Sequence, residues 1–147
     1  KRNMEKQPQF PFAPKDFARC LNATCPRSQN CLRRTAALQD TDEHLFLKVV
    51  NPLRYPKEGE ECELFRSTDK VRMAWGVTHL LDNVPYKEGS LLRNMIINHL
   101  GRSQYYRCFR KERPFAPQDQ QTIRMLFRQR GISEEPSFDY YTNEFNW

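Results

Sequence analysis

Residues 90–101 read Ser-Leu-Leu-Arg-Asn-Met-Ile-Ile-Asn-His-Leu-Gly, and this stretch decides the fold class. Its apolar side chains recur three or four positions apart, which is the spacing of one face of an α-helix. Ser90 is a residue type that caps helix N-termini, and Gly101 is a type that ends helices. The stretch therefore predicts a helix from about residue 90 to residue 100. Its core face would consist of Leu91, Leu92, Met95, Ile96 and Leu100.

Two more helices are predicted on the C-terminal side. A short one runs from Ser103 to about Lys111, and the proline-bounded break at residues 113–117 follows it. From Pro117 the helical spacing resumes and continues to Gly131. Acids and glutamines open this segment and arginines close it, which is the arrangement that the helix dipole favours.

The N-terminal half contains weaker patterns. Pro26 fits the first turn of a helix that runs to about Leu38. Residues 45–50 are apolar and β-branched and predict a strand, which is followed by a loop over residues 51–61. Ser67 or Thr68 would cap another helix, which extends to about Asn83.

These patterns predict a mainly α fold with a small β component. We expect an N-terminal cysteine-rich segment packed on a C-terminal helical unit that is similar to a helix-turn-helix. The expected organisation is an extended lead-in over residues 1–16, a cysteine-rich subdomain that a metal ion could staple over 17–66, a basic helical unit over 67–132 and an acidic aromatic tail over 133–147.

The composition favours a folded, soluble protein. Mean hydropathy is −0.86 and only 38% of the 147 residues are hydrophobic, but ten Phe, six Tyr and two Trp supply large buried areas. No apolar run approaches the roughly 20 residues that span a bilayer. Residues 1–14 lack the apolar region of a signal peptide. We therefore expect a cytoplasmic protein with no membrane contact.

No signature of catalysis is present in the sequence. We find no nucleophile–base motif, no glycine-rich phosphate loop and no His-Glu-x-x-His zinc motif. His79 and Asp82 are spaced to pair on a helix, and His99 lies in an apolar helix, so both histidines are interpreted as core or surface residues. We expect no enzyme and no catalytic residue.

Four cysteines form a candidate metal site. Cys20, Cys25 and Cys31 lie within twelve residues, and Cys62 lies on a distant loop. Four thiolates suit a tetrahedral zinc ion, or alternatively a [4Fe–4S] cluster. The gaps differ from those of zinc ribbons and ferredoxins, so the alternative is four small buried thiols without a metal. His44 could replace one ligand, and Cys108 is expected to be a packing residue.

The net charge of +6 is concentrated in the helical unit. Residues 90–132 hold nine Arg and Lys against two acids, whereas residues 133–147 hold four acids and no base. A short helix that presents arginines can neutralise phosphates of DNA or RNA. The candidate nucleic-acid contacts are Arg102, Gln104, Tyr105, Arg107, Arg110, Lys111 and Arg113. The alternative interpretation is an ordinary solvated arginine-rich surface.

Two resemblances accompany these patterns. The Tyr105-Tyr106-Arg107 segment, followed by a proline-marked turn and a glutamine-rich helix, resembles repressor-like helix-turn-helix segments, although the glycine that often follows the recognition helix is absent. Over most of its length the chain also resembles a family of small proteins from gut-dwelling Bacteroidetes that is described only as a domain of unknown function. The quoted matches are Cys20…Cys25-Pro26…Cys31-Leu32-Arg33, Asn51-Pro52, Cys62-Glu63-Leu64-Phe65-Arg66, residues 78–86 and Gly101…Tyr105-Tyr106-Arg107. This resemblance implies a bacterial intracellular protein and implies no activity.

The sequence thus predicts a nucleic-acid-binding accessory or regulatory protein with a structural zinc site. The first alternative is a protein–protein adaptor that binds a protein partner through the aromatic tail, because Tyr, Phe and Trp are common interface anchors. If that tail instead folds onto the basic helices, it would mask them. The second alternative is an iron–sulfur redox or sensing protein.

Overall fold

A computed structural model describes residues 12–40 and 44–147 of the chain. Most of the expected lead-in, residues 1–11, lies outside the described residues. The described residues form four helices and one two-stranded sheet: α1 (Leu32–Gln39), β1 (Lys70–Trp75), α2 (Tyr86–Leu100), α3 (Arg102–Phe109), α4 (Pro117–Gln129) and β2 (Tyr140–Phe145), with short 3-10 turns at Ser28–Asn30 and Pro52–Arg54. The predicted class, mainly α with a small β component, is confirmed.

The chain divides into two compact units. We call Lys1–Asp69 with Asn146–Trp147 the cysteine unit, and Lys70–Phe145 the helical unit. In the described part of the chain, no helix is long and apolar enough to cross a bilayer.

The helical unit is built around Phe115, which is fully buried. Phe115 and Ala74 exchange two backbone hydrogen bonds of 2.7 and 3.1 Å, so the segment before α4 is joined to β1. The side-chain amide of Gln120 on α4 donates to the carbonyls of Arg72 and Phe115 at 2.9 and 2.8 Å. The surrounding core consists of Leu80, Leu92, Ile96, Tyr105, Cys108, Ile123 and Phe127.

The acidic aromatic segment after α4 ends in a strand. β2 pairs antiparallel with β1, with Lys70 opposite Phe145 and Trp75 opposite Tyr140. The rings of Trp75 and Tyr140 stack at 5.9 Å, and the Trp75 indole N–H donates to Thr142 Oγ1 at 2.7 Å. Residues 140–145 are therefore part of the folded unit.

The predicted C-terminal helices are confirmed. α2 ends at Leu100 and is followed by Gly101, which has a φ of 87° and donates its N–H to the carbonyl of Ile97 at 2.7 Å. The helix begins at Tyr86, four residues before the predicted cap at Ser90. Pro85 precedes it, and proline's fixed φ suits a helix start. α3 and α4 lie close to their predicted bounds.

The predicted helix over residues 67–83 is wrong. Residues 70–75 form β1, and turns occupy residues 78–83. Gly76 follows β1 with a φ of 78°, and a Cβ at this position would collide with the carboxylate of Asp139. Pairing with β2 outweighs the local helical spacing, because strand formation depends on the partner strand more than on local sequence.

Two N-terminal predictions also need correction. The expected strand at residues 45–50 is reduced to one parallel bridge between Val49 and Arg19, and Leu45 and Phe46 are 92% and 88% exposed. Of the six residues in this run Val50 alone is buried, so the run does not have the buried face of a sheet strand. The expected helix from Pro26 is interrupted at Cys31, which is extended (φ −111°, ψ 121°) and bridges Ser67.

Arg19 is a buried charged residue of the cysteine unit with several hydrogen-bond partners. Its guanidinium is buried and forms an ion pair with Asp40 at 3.0 Å. It also donates to the carbonyls of Pro14, Lys15 and Phe17 at 2.8, 3.1 and 2.6 Å. A buried charge is tolerated where it is paired and hydrogen-bonded in this way, so Arg19 fixes the loop that leads to Cys20.

Candidate metal centre and basic helical face

Four cysteines of the cysteine unit line one cavity of about 30 Å³, which we call the cysteine cavity. They are the four that the sequence predicts as metal ligands: Cys20, Cys25, Cys31 and Cys62. Probe-occupied space of about 10–15 Å³ is enough for one water molecule. The cavity therefore has the size of an ion or a small molecule such as water.

Backbone hydrogen bonds place each cysteine at this cavity. Cys20 donates its N–H to the carbonyl of Arg33 at 3.0 Å. Cys25 and Cys62 each open a tight turn, since their carbonyls accept from Ser28 and Phe65 at 3.1 and 3.2 Å. Cys31 is the N-cap residue of α1, a position where the helix dipole favours negative charge.

None of these four cysteines forms a disulfide. Among residues 12–40 and 44–147, no three His, Cys, Asp or Glu side chains are close enough together to hold a metal ion. Zinc needs sulfurs at about 2.3 Å from the ion. Thiolate is the donor chemistry of zinc and iron–sulfur sites. His44 is exposed and does not line the cavity.

Arg33 interacts electrostatically with three of the four thiols. Burial and, secondarily, the nearby Arg66 lower the pKa of Arg33, while Cys31, Cys62 and Cys20 act in the opposite direction. Arg33 Nε donates to the carbonyl of Leu64 at 2.7 Å. Other arginines that line the cysteine cavity are Arg27, Arg34 and Arg54.

Cys108 is separate from the other cysteines, as the sequence predicts. It is buried in the core of the helical unit, and burial raises the pKa of its thiol. It is therefore a neutral packing residue.

The predicted nucleic-acid contacts lie on or next to α3, but they are not equivalent. Tyr105 is only 6% exposed and belongs to the core, so its ring is withdrawn from solvent. Gln104 accepts hydrogen bonds from Arg113 and Arg107 at 3.1 and 3.4 Å. These contacts hold Gln104 against the protein's own arginines.

Three of the five predicted cations have carboxylate partners. Arg110 pairs with Glu112 at 2.9 Å, Lys111 with Asp139 at 3.3 Å and Arg113 with Asp119 at 3.9 Å. In the part of the chain that the structure describes, neither Arg102 nor Arg107 has a carboxylate within 4.0 Å. Of the five predicted cations, these two arginines are therefore the most available to a phosphate.

Sequence reasoning missed the exposed aromatic rings of α3. Tyr106 is 36% exposed and Phe109 is 55% exposed, and their rings meet edge to face at 6.3 Å. The Arg102 guanidinium lies 5.6 Å from the Tyr106 ring centroid. We call Arg102, Tyr106 and Phe109 the α3 stripe, since their spacing of four and three residues places them on one helix face. The same spacing in the sequence could have revealed this stripe. Tyr105 and Cys108, three residues apart, occupy the buried face, so the neighbouring face with Tyr106 and Phe109 is left exposed.

The acidic segment after α4 neutralises part of the basic surface. Glu135 pairs with Arg124 and Arg128 at 2.7 and 3.6 Å, and Asp139 pairs with Lys111. Burial opposes ionisation of Asp139, but hydrogen bonds from Thr78 and Lys111 outweigh it, so its pKa lies below the ordinary value.

The two histidines of interest both contact carboxylates. His79 pairs with Asp82 at 2.7 Å, in a turn and not on a helix, and both side chains are exposed. His99 lies 3.3 Å from Asp119, which connects α2 to α4.

A family model, described as a family of unknown function (DUF6078), matches residues 4–147. The chain belongs to this family. Membership of DUF6078 agrees with the resemblance to a family described only by a domain of unknown function, and it assigns no activity to any residue. No curated protein and no solved structure matches the chain.

Proposed function

We propose that this DUF6078 protein is a nucleic-acid-binding accessory or regulatory protein that binds through α3. The observation that supports this most is the α3 stripe, in which Tyr106 and Phe109 are exposed beside Arg102. Exposed aromatic rings interleaved with arginines are typical of surfaces on which bases stack and phosphates are neutralised.

The rings favour a single-stranded ligand, RNA or DNA. Base faces are available for stacking only when the bases are unpaired, and each stacked base contributes about 1–3 kcal/mol. A helix-turn-helix reader would instead insert polar side chains into the major groove of a duplex. The resemblances to helix-turn-helix segments and to Bacteroidetes proteins remain predictions.

The cysteine cavity is proposed to hold a structural zinc ion through Cys20, Cys25, Cys31 and Cys62, with a [4Fe–4S] cluster as the alternative. The four thiols support either group, and the cavity volume of about 30 Å³ favours the single ion. When bound, a structural zinc ion contributes folding free energy. It would hold together the turns that begin at Cys25 and Cys62.

The direct test is fluorescence anisotropy with labelled oligo(U), oligo(dT) and a duplex of the same length. Replacing Tyr106 or Phe109 with Ala should weaken single-strand binding about 5- to 150-fold per ring, given the stacking energy. Tyr86→Ala is the matched control, because Tyr86 is an exposed tyrosine at the start of α2. Equal affinity of wild type and both α3 variants would refute the proposal.

Salt dependence tests the charge component. If Arg102 and Arg107 contact two phosphates, the slope of log K against log salt should be about −1.4 for a single strand. The double variant Arg102→Gln/Arg107→Gln should bring it close to zero, whereas Arg110→Gln should change it less because Arg110 is paired with Glu112.

The adaptor alternative relies on the aromatic tail. Tyr140 stacks on Trp75, and the Arg72 guanidinium lies 3.7 Å above the Tyr141 ring, so both rings already have intramolecular contacts. Tyr106 has intramolecular ring contacts as well, so ring contacts alone do not rank the two proposals. The adaptor is the second proposal because residues 140–145 of the tail are already paired with β1 as a strand.

A further inference from the structure

A second cavity of about 340 Å³ lies in the cysteine unit, and neither the metal assignment nor the α3 stripe uses it. We call it the arginine cavity. Small-molecule sites in proteins have volumes of about 300–1,000 Å³. The arginine cavity therefore has room for a compact organic ligand, and it is open to solvent.

Positive charge dominates the lining of this cavity. Arg33, Lys48 and Arg66 line it, and Asp16 is the one acidic side chain among the described lining residues. Cations that face a common space repel one another, and an anion between them removes that repulsion.

The two arginines are held in place by the protein's own carbonyls. Arg33 donates from Nη1 to Ala18 at 3.1 Å and from Nε to Leu64, and Arg66 donates from Nη1 to Asn146 at 3.2 Å. A guanidinium has five N–H donors. Two hydrogen bonds hold the Arg33 guanidinium and one restrains that of Arg66. Both groups keep further N–H donors for an oxyanion, for which the guanidinium geometry is suited.

Aromatic rings form another part of the wall. Phe17 and Trp147 line the cavity and meet edge to face, with ring centroids 5.3 Å apart. Phe17 is also in contact with Arg33, whose guanidinium lies 4.7 Å from the ring centroid. An indole at the edge of a cationic cavity offers a planar surface for a ligand ring.

We propose that the arginine cavity binds a small organic anion, whose phosphate or carboxylate lies between Arg66, Lys48 and Arg33 and whose planar ring packs against Trp147. This site is independent of the proposed nucleic-acid binding by α3.

The test is a titration of the isotope-labelled full chain followed by ¹H–¹⁵N NMR. The chain has two tryptophans, and Trp75 lies in the helical unit, so the two indole signals report on the two units separately. Trp147→Phe assigns the signals. Phenyl phosphate and benzoate carry a ring and an anion, inorganic phosphate lacks the ring, and benzylamine carries a ring and a cation.

We expect phenyl phosphate or benzoate to move the Trp147 indole signal saturably while the Trp75 signal stays unchanged. Whichever of these two ligands binds more tightly shows whether the site prefers a phosphate or a carboxylate. Inorganic phosphate should bind at least tenfold more weakly than phenyl phosphate, and benzylamine should not bind. No saturable shift at Trp147, or equal binding of benzylamine, would overturn the proposal.

Two variants locate the anion. Arg66→Gln and Lys48→Gln should each weaken binding of the better ligand at least tenfold, whereas Arg128→Gln, an exposed cation of the helical unit, should have no effect. Lys48 is exposed, so its replacement preserves the fold even if loss of the Arg66–Asn146 contact does not. Unchanged affinity in a folded Lys48→Gln protein would refute the assignment.

Discussion

Replacing Cys25 with Ser separates a metal site from a group of ordinary thiols. Cys25 is partly exposed, and substitutions at partly exposed positions without a special role change stability by about 0.5 kcal/mol or less. If Cys25 is a zinc ligand, the same change removes a quarter of the coordination shell. Structural zinc contributes about 10–16 kcal/mol of apparent binding free energy in small domains, so we expect a loss of at least about 3 kcal/mol.

The assay combines metal analysis with urea unfolding of protein purified without added metal. We expect about one zinc per chain in the wild type, a markedly reduced content in Cys25→Ser, and full content in the control Cys108→Ala, whose thiol is buried in the helical unit. Iron with visible absorbance would instead support the cluster alternative. A metal-free wild type whose stability is unchanged by Cys25→Ser would refute the metal site.

Three further predictions concern the helical unit, each measured by chemical denaturation. Phe115→Ala should destabilise it by about 3–5 kcal/mol, because the ring is fully buried at the centre of the core. Gly76→Ala should cost more than Gly101→Ala: both have positive φ, but an added Cβ meets Asp139 at Gly76 and open space at Gly101. The low pKa of Asp139 means that its ionised form stabilises the fold above pH of about 3.9, and this contribution is lost as pH falls through the folded-state pKa. Asp139→Asn should therefore be less stable than the wild type at neutral pH and equally stable in strong acid. An equal cost at the two glycines, or a pH-independent difference at Asp139, would contradict the corresponding prediction.

The sequence predicts those parts of the fold that depend on local spacing. α2, α3 and α4 have apolar residues at helical intervals, and a glycine or proline near the end of each segment, so their existence follows from neighbours within one or two turns. β1 depends on residues far along the chain, as shown by the hydrogen bond between Trp75 and Thr142, which are 67 positions apart. Local spacing carries no information about such a partner, and the helix predicted there was wrong.

The two candidate sites also differ in how much of them the sequence could predict. Thiol chemistry alone was sufficient to group four cysteines that line one cavity. The orientation of α3 was harder to predict, because Tyr105 and Tyr106 are adjacent and differ by about 100° around the helix axis. Packing against the core selects Tyr105 as the buried ring and leaves Tyr106 exposed.

Ion pairs within the protein reduce the share of the net charge of +6 that is available to bind phosphates. Arg110 and Lys111 are already paired with Glu112 and Asp139, so a phosphate that approaches them must first displace a carboxylate. Stacking on exposed rings should therefore contribute more to affinity than electrostatics, and salt should weaken binding only slightly. A slope much steeper than about −1.4 would mean that phosphates displace these carboxylates. In that case the acidic segment that contains Asp139 acts as a removable mask over the basic helices.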